Sequence, residues 1–163
     1  MSPANVDFVL KNNPQISPEK VEVCPNSTIL CEKPHPDKRS IRAKYDIPDE
    51  AVVFIYGGSV GKPQGVEFFI RCLEENTGLP DRFFVVCGRG TEYKKVETFF
   101  NSKKTVNMLL INHLPKEEYD ELVSACDVGL IFLDYRFTIP NFPSRLLSYM
   151  EYNTACRLSP LRM

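Results

Sequence analysis

An α/β fold with a mostly parallel sheet and helices on both faces is what this sequence predicts, and three observations predict it. From residue 51 onward, apolar runs of strand length alternate with amphipathic stretches of helix length. The runs are continuous in their apolar character, as in strands covered on both faces. Glycines gather just after two successive runs, at 57–65 and 88–90, where backbone must turn tightly or come close to a ligand. Connections of roughly 10–15 residues through helices make right-handed crossovers between parallel strands. A chain of 163 residues has room for about one such core.

The elements follow in order. Residues 2–13 predict a short helix, with Ser2 as cap, Pro3 in the first turn, and Val6, Phe8, Val9 and Leu10 as its apolar face. Asn12-Asn13-Pro14 ends it. Val21–Cys24 reads as a small strand, and Pro25-Asn26-Ser27 turns out of it. Residues 31–37 carry too much proline for regular structure, so His35 falls in a loop, while Asp37 can cap a polar helix over 38–45. The run 51–56 is the first strand of the regular part, followed by the glycine loop and a helix marked by Val66, Phe69, Ile70 and Leu73. Gly78-Leu79-Pro80 stops that helix. A second strand at 82–87 leads through Gly88-Arg89-Gly90 to a helix over 91–101 with Tyr93, Val96 and Phe100 on one side. A strand near 106–111, a turn at 112–115, a helix over 116–126 and a strand over 128–133 complete the alternation. The last ten residues, 154–163, read as an irregular tail.

Composition narrows the function. Apolar residues at 43% and charged ones at 25% are those of an ordinary globular protein. Twenty basic residues balance twenty-one acidic ones for a net charge of −1, with no long basic run, which argues against a nucleic-acid partner. No apolar run approaches the roughly 20 residues that cross a bilayer, and the first residues lack the basic-then-apolar order of a secretory signal, so no transmembrane segment and a cytoplasmic location are expected. Six cysteines, at 24, 31, 72, 87, 126 and 156, have no C-x-x-C spacing and are read as reduced thiols.

The stretch 131–151 reads as an anion site. Pro143 and Ser144 suit the first positions of a helix, because proline lacks the N–H that is orphaned there and serine can cap its neighbours. Amides at Ser144, Arg145 and Leu146, with the positive end of the helix dipole, then face the C-terminal edge of the preceding strand, where ligands bind in open parallel sheets. The bland alternative is a capped strand-to-helix connection with exposed arginines. The loop 57–65 lacks a closing Gly-Lys-Ser/Thr and is not G-x-G-x-x-G, which sets aside a P-loop or a nicotinamide site. Two readings of it stand: a loop carrying Lys62 to a diphosphate, or a tight turn with a solvated lysine. His113 has no acid or cysteine partner at a nucleophile or metal spacing and reads as a surface histidine. Asp134 faces either a polar ligand or water.

Taken as blocks, FIYGGSVGKPQG, FFVVCGRGTEYKK, LLINHLPKEEYDELVSACDVGLIFLD and FTIPNFPSRLLSYMEY resemble the nucleotide-sugar-binding C-terminal domain of GT-B glycosyltransferases of family 4. The resemblance covers about residues 1–153. It implies a Rossmann-like domain, one incomplete GT-B domain, with residues 1–20 as an interdomain linker helix and loop and 21–153 as the donor-binding part. It further implies sugar transfer from a UDP- or GDP-linked donor in polysaccharide or glycoconjugate synthesis, with no cofactor and no bound metal, by an enzyme that is soluble or, at full length, membrane-peripheral. Gly58, Ser59, Gly61, Lys62, Ser144, Arg145 and Leu146 would hold the diphosphate; Gly88, Asn112, His113, Leu114 and Ser148 would border the base and ribose; no catalytic residue is assigned. The sequence departs from the family where its phosphate-loop Arg and Lys fall on Ser59 and Gln64, and where its E-x7-E pair falls on Pro140 and Ser148, leaving Asn141 or Glu151 to meet the sugar. The chain is expected to need a companion N-terminal acceptor domain and to be inactive alone; the alternative is a non-catalytic nucleotide-binding or interaction module left by truncation.

Overall fold

Five parallel strands form one sheet in the order β3-β2-β1-β4-β5: β1 Val52–Ser59, β2 Arg82–Arg89, β3 Met108–Ile111, β4 Val128–Leu133 and β5 Ala155–Pro160. The computed structural model describes residues 2–28, 37–103, 106–152 and 154–160. Among these residues six α-helices accompany the sheet: α1 Pro3–Asn12, α2 Lys38–Lys44, α3 Val66–Glu75, α4 Tyr93–Ser102, α5 Lys116–Ser124 and α6 Arg145–Glu151. The expected α/β fold of Rossmann-like type is therefore the one found, and every described strand pairing is parallel.

Alternate side chains of the central strands feed two cores. Val53, Ile55, Phe83, Val85 and Ile131 pack on one face with Ile41 of α2, Leu122 and Val123 of α5 and Tyr149 of α6. Tyr56, Phe84, Val86, Leu130 and Phe132 pack on the other with Phe69 and Leu73 of α3 and Val96 and Phe99 of α4. Because β1 and β2 are buried on both sides, they carry no polar alternation, which is why they read as unbroken apolar runs.

Two expectations are corrected. Val21–Cys24 is not a strand: the segment follows a short 3-10 turn at Pro18–Lys20 and has no ladder partner, with Val23 left exposed. Residues 155–160 are not irregular: they are β5, hydrogen-bonded in parallel register along the whole of β4, from Val128 opposite Ala155 to Leu133 opposite Pro160. Their order comes from the partner strand and from the link Ala155 N–H to Asp127 O at 3.0 Å, not from a strong pattern of their own. The proline-rich loop with Cys31 and His35, Asn153 and the tail beyond 160 lie outside the described residues. Cys72, Cys87, Cys126 and Cys156 are free thiols.

The helix over 38–45 forms as predicted, capped by the Asp37 carboxylate, which accepts from the amides of Arg39 at 3.2 Å and Ser40 at 3.3 Å. Asp37→Ala should lower stability by about 1 kcal/mol. In thermal unfolding that is a fall of roughly 2–4 °C for a chain of this size.

Candidate functional site

The strand order reverses between β1 and β4, and successive crossovers there leave the sheet in opposite directions, opening a crevice at the C-terminal edge. A cavity of about 980 Å³ lies at this switch point. Gly57, Gly58 and Ser59 of β1 and Cys87, Gly88 and Arg89 of β2 line one part of it. Asn112, His113 and Leu114 after β3, with Lys116 and Tyr119 of α5, line another. Asn141, Phe142, Pro143 and Ser144 come from the loop before α6, and Arg145 and Ser148 from α6 itself.

Glycine is required beneath this cavity by close approach. A Cβ on Gly57 would sit 1.8 Å from the Tyr119 hydroxyl, and one on Gly88 would sit 2.1 Å from the Gly58 carbonyl oxygen. Below them the fully buried Tyr149 reaches across β4, its ring pressed on Gly129. Its hydroxyl lies 3.3 Å from the carbonyls of Ile55 and Leu130 and accepts from the Gly57 amide at 3.4 Å. Burial pushes the Tyr149 phenol up to about 12 and the Cys87 thiol up to about 11, so both stay neutral near pH 7.

The charges in the lining are of one sign. Arg89, Lys116 and Arg145 line the cavity, and among the described residues no aspartate or glutamate does. Lys116 is tied to Asp120, one helical turn on, at 2.8 Å, and Arg89 is exposed. Arg145 has its guanidinium carbon 4.5 Å from the centre of the Tyr56 ring and donates through Nη2 to the Ser59 carbonyl at 3.4 Å.

Most residues singled out in the sequence meet here: Gly58, Ser59, Gly88, Asn112, His113, Leu114, Asn141, Ser144, Arg145 and Ser148 all line the cavity. Lys62 does not. It lines a separate cavity of about 850 Å³, together with Arg71, Asp134 and Arg136. The cause is local. Val60 is fully buried and hydrogen-bonds to the loop after β2, its amide to Arg89 O at 2.9 Å and its carbonyl to the Glu92 amide at 3.0 Å. The chain then makes a 3-10 turn over Lys62–Gln64 that turns the lysine away.

Gly61 is also misplaced in the expectation, since it is not part of the lining and its amide already donates to Gln64 Oε1 at 3.0 Å. Leu146 is a third correction: its amide bonds to Pro143 O at 2.9 Å and its side chain packs into the core. Ser144 is helical in backbone and makes no side-chain cap, so the caps expected of it are absent. Glu151, at the far end of α6, does not line the cavity. Asp134 borders the second cavity, largely buried and clasped by Arg136, with contacts of 2.9 and 2.6 Å, and the hydrogen bonds from Arg136 hold its carboxyl down at about 2. Sequence reasoning missed Tyr119, Lys116, Arg89 and Gln64 as lining residues. For Tyr119 the available signal was indirect, the bare backbone at Gly57 that its ring covers.

Residues 37–159 match the family model of glycosyl transferases group 1. The chain is 25% identical over 117 residues to the putative colanic acid biosynthesis glycosyl transferase WcaI of Escherichia coli K12, a match covering 70% of this chain and 28% of that protein. Among solved structures it resembles WaaG, a glycosyltransferase involved in lipopolysaccharide biosynthesis, with a TM-score of 0.63 at 18% identity over 88% of this chain and 39% of that one. It also resembles the pneumococcal O-GlcNAc transferase GtfA, solved with UDP and GlcNAc, with a TM-score of 0.55 at 16% identity over 70% of this chain and 22% of that one. The chain thus spans well under half the length of these relatives. Among its described residues no helix is long and apolar enough to cross a membrane.

Proposed function

Because the chain belongs to the glycosyl transferases group 1 family, we propose that it is the donor-binding part of an enzyme that moves a sugar from a nucleotide diphosphate sugar to an acceptor in polysaccharide or glycoconjugate assembly. The observation that carries this reading is the cavity at the switch point, lined by Arg145, Arg89 and Lys116 and by no carboxylate among the described residues. A diphosphate is the ligand that such a lining favours. The amides of Ser144 and Arg145, which have no backbone acceptor among the described residues, add two donors on the same side. Negative charge grows on the departing diphosphate as the glycosidic bond breaks, and preformed donors of this kind lower that barrier. The base and ribose rest against Asn112–Leu114, Gly88 and Ser148, and Asn141 meets the transferred sugar.

The relatives support this reading: WcaI and WaaG are associated with colanic acid and lipopolysaccharide biosynthesis, and GtfA was solved with UDP and GlcNAc. The donor is UDP- or GDP-linked, and the acceptor is supplied by a companion domain, so the assay for this chain is binding.

Calorimetric titration with UDP and with GDP tests the reading. At one hundred times its dissociation constant, the preferred nucleotide should stabilise the chain by about 2.7 kcal/mol. Arg145→Ala removes a charge-assisted contact and should weaken binding roughly 10- to 100-fold. No heat and no shift in unfolding temperature with either nucleotide at millimolar concentration sinks the proposal.

A further inference from the structure

Arg145 is held in an unusual way. Among the described residues, the geometric hydrogen bond of its guanidinium is Nη2 to the Ser59 carbonyl at 3.4 Å, close to the limit for such a contact. Its Nη1 is buried without a hydrogen-bond partner, and no ion pair joins it to a carboxylate among the described residues. A charged donor orphaned in this way is costly, so hydrogen bonding is not what fixes the group. The contact that remains is the face of Tyr56, 4.5 Å below the guanidinium carbon.

Tyr56 is suited to that task by everything around it. The ring is almost wholly buried and cannot turn freely, because it stacks on Phe69 at 4.6 Å and leans on Phe132 at 6.1 Å. Its hydroxyl donates to the Ser59 carbonyl at 2.7 Å, the same oxygen that Arg145 reaches. One tyrosine therefore fixes both the acceptor and the aromatic face that the guanidinium uses. Gly58 has φ of +107°, a left-handed backbone that favours glycine, and a Cβ there would meet Arg145 Nη2 only at an ordinary contact of 3.5 Å. A planar, weakly hydrated guanidinium is well matched to such a surface, and a lysine ammonium is not.

We propose that Tyr56 is a positioning residue for the diphosphate of the donor, holding the Arg145 guanidinium over the glycine strand end at the cavity so that an entering anion meets a cation already in place. The inference rests on the functional reading above and deepens it. Tyr56 does not touch the ligand; it acts through Arg145. The ring face matters more than the hydroxyl, because the ring lies under the guanidinium carbon while the hydroxyl proton goes to the Ser59 carbonyl.

The test is a double-mutant cycle on UDP and GDP affinity in the full chain, with unfolding temperature followed in parallel. Tyr56→Phe keeps the ring and should change the dissociation constant by no more than about twofold, whereas Tyr56→Leu should weaken binding about tenfold. In an Arg145→Ala background, Tyr56→Leu should have almost no further effect. A merely structural role for Tyr56 predicts the opposite, an equal loss in both backgrounds, and that result overturns the proposal, as does a folded Tyr56→Leu chain with unchanged affinity. If Tyr56→Leu does not fold, the wild type decides: inorganic pyrophosphate or UDP should move the Tyr56 ring signals, assigned from the Tyr56→Phe spectrum, and signals that stay put while ligand binds overturn the inference alone. Failure of the wild type to bind pyrophosphate, UDP or GDP overturns the functional reading and this inference with it.

Discussion

Arg42→Ala should destabilise the fold by about 3–5 kcal/mol, because it strips a buried guanidinium from three backbone carbonyls and from the Asp127 carboxylate. Arg42 is buried, and its guanidinium donates from Nε to Ala125 O at 3.0 Å, from Nη1 to Asp49 O at 2.7 Å and Ala51 O at 3.2 Å, and from Nη2 to Asp127 Oδ2 at 2.7 Å. It thus ties α2 to the entry of β1 and the exit of α5. The Asp127 carboxylate also accepts from the Val53 amide at 2.8 Å and from Lys38 at 2.6 Å, which locks the start of β1 against β4. Arg42→Lys offers a single ammonium in place of the planar fork and should recover only part of the loss. Chemical denaturation of the three chains checks the order, and an Arg42→Ala chain within about 1 kcal/mol of the wild type would mean that this network is not what holds α2 in place.

The same network makes stability sensitive to acid. Partial burial raises the Asp127 carboxyl, but the bonds from Lys38 and the Val53 amide and the charges of Lys38 and Arg42 outweigh it and leave the group below its ordinary value. A carboxyl depressed in the folded state contributes stability that is complete above its unfolded value, near pH 4, and is lost as pH falls through the folded one. The Asp127→Asn chain should therefore be less stable than the wild type at pH 7, with the gap narrowing below about pH 4.

How far the sequence could be read depended on where each element gets its order. The strands β1, β2 and β4 are buried on both faces, so their composition alone declares them, and the glycines after β1 and β2 mark the ligand edge for the same reason: a backbone lies close to something. The strand β5 is ordered by β4, and its sequence, with Arg157, Ser159 and Pro160 among six residues, has little strand character to detect. Lys62 lies off the cavity because the side to which a loop residue turns is set by contacts of its neighbours, here the burial of Val60 and the Gly61 to Gln64 bond, and these are not legible locally. One cation that does line the site, Arg145, stood in plain view beside Pro143 and Ser144. What no local pattern could disclose was its seat on Tyr56, since that depends on α6 packing across β1.

Gly88→Ala should cost about 3 kcal/mol or more and abolish nucleotide binding, the largest single effect expected at the cavity. The reason is contact, not conformation. Gly88 stands opposite Gly58 in the β1–β2 register, and an added methyl carbon would lie 2.1 Å from the Gly58 carbonyl oxygen and 3.2 Å from a Val60 methyl. The first neighbour is backbone paired near the C-terminal end of a parallel ladder and cannot step aside as a side chain could, so β1 must shift. Any such shift moves Gly58 and Ser59, and with them the carbonyl that Tyr56 and Arg145 share. Gly78→Ala is the control: Gly78 has φ of +77° but nothing within 4 Å of the new carbon, so only the left-handed backbone is penalised, by about 1–2 kcal/mol. It lies on the loop between α3 and β2, at the opposite edge of the sheet, and should leave affinity for UDP and GDP unchanged. Calorimetry and thermal unfolding on both variants separate the two mechanisms. A Gly88→Ala chain that binds nucleotide as the wild type does would show that the close approach of β2 to Gly58 does not shape the anion site, and that Arg145 is positioned by other means.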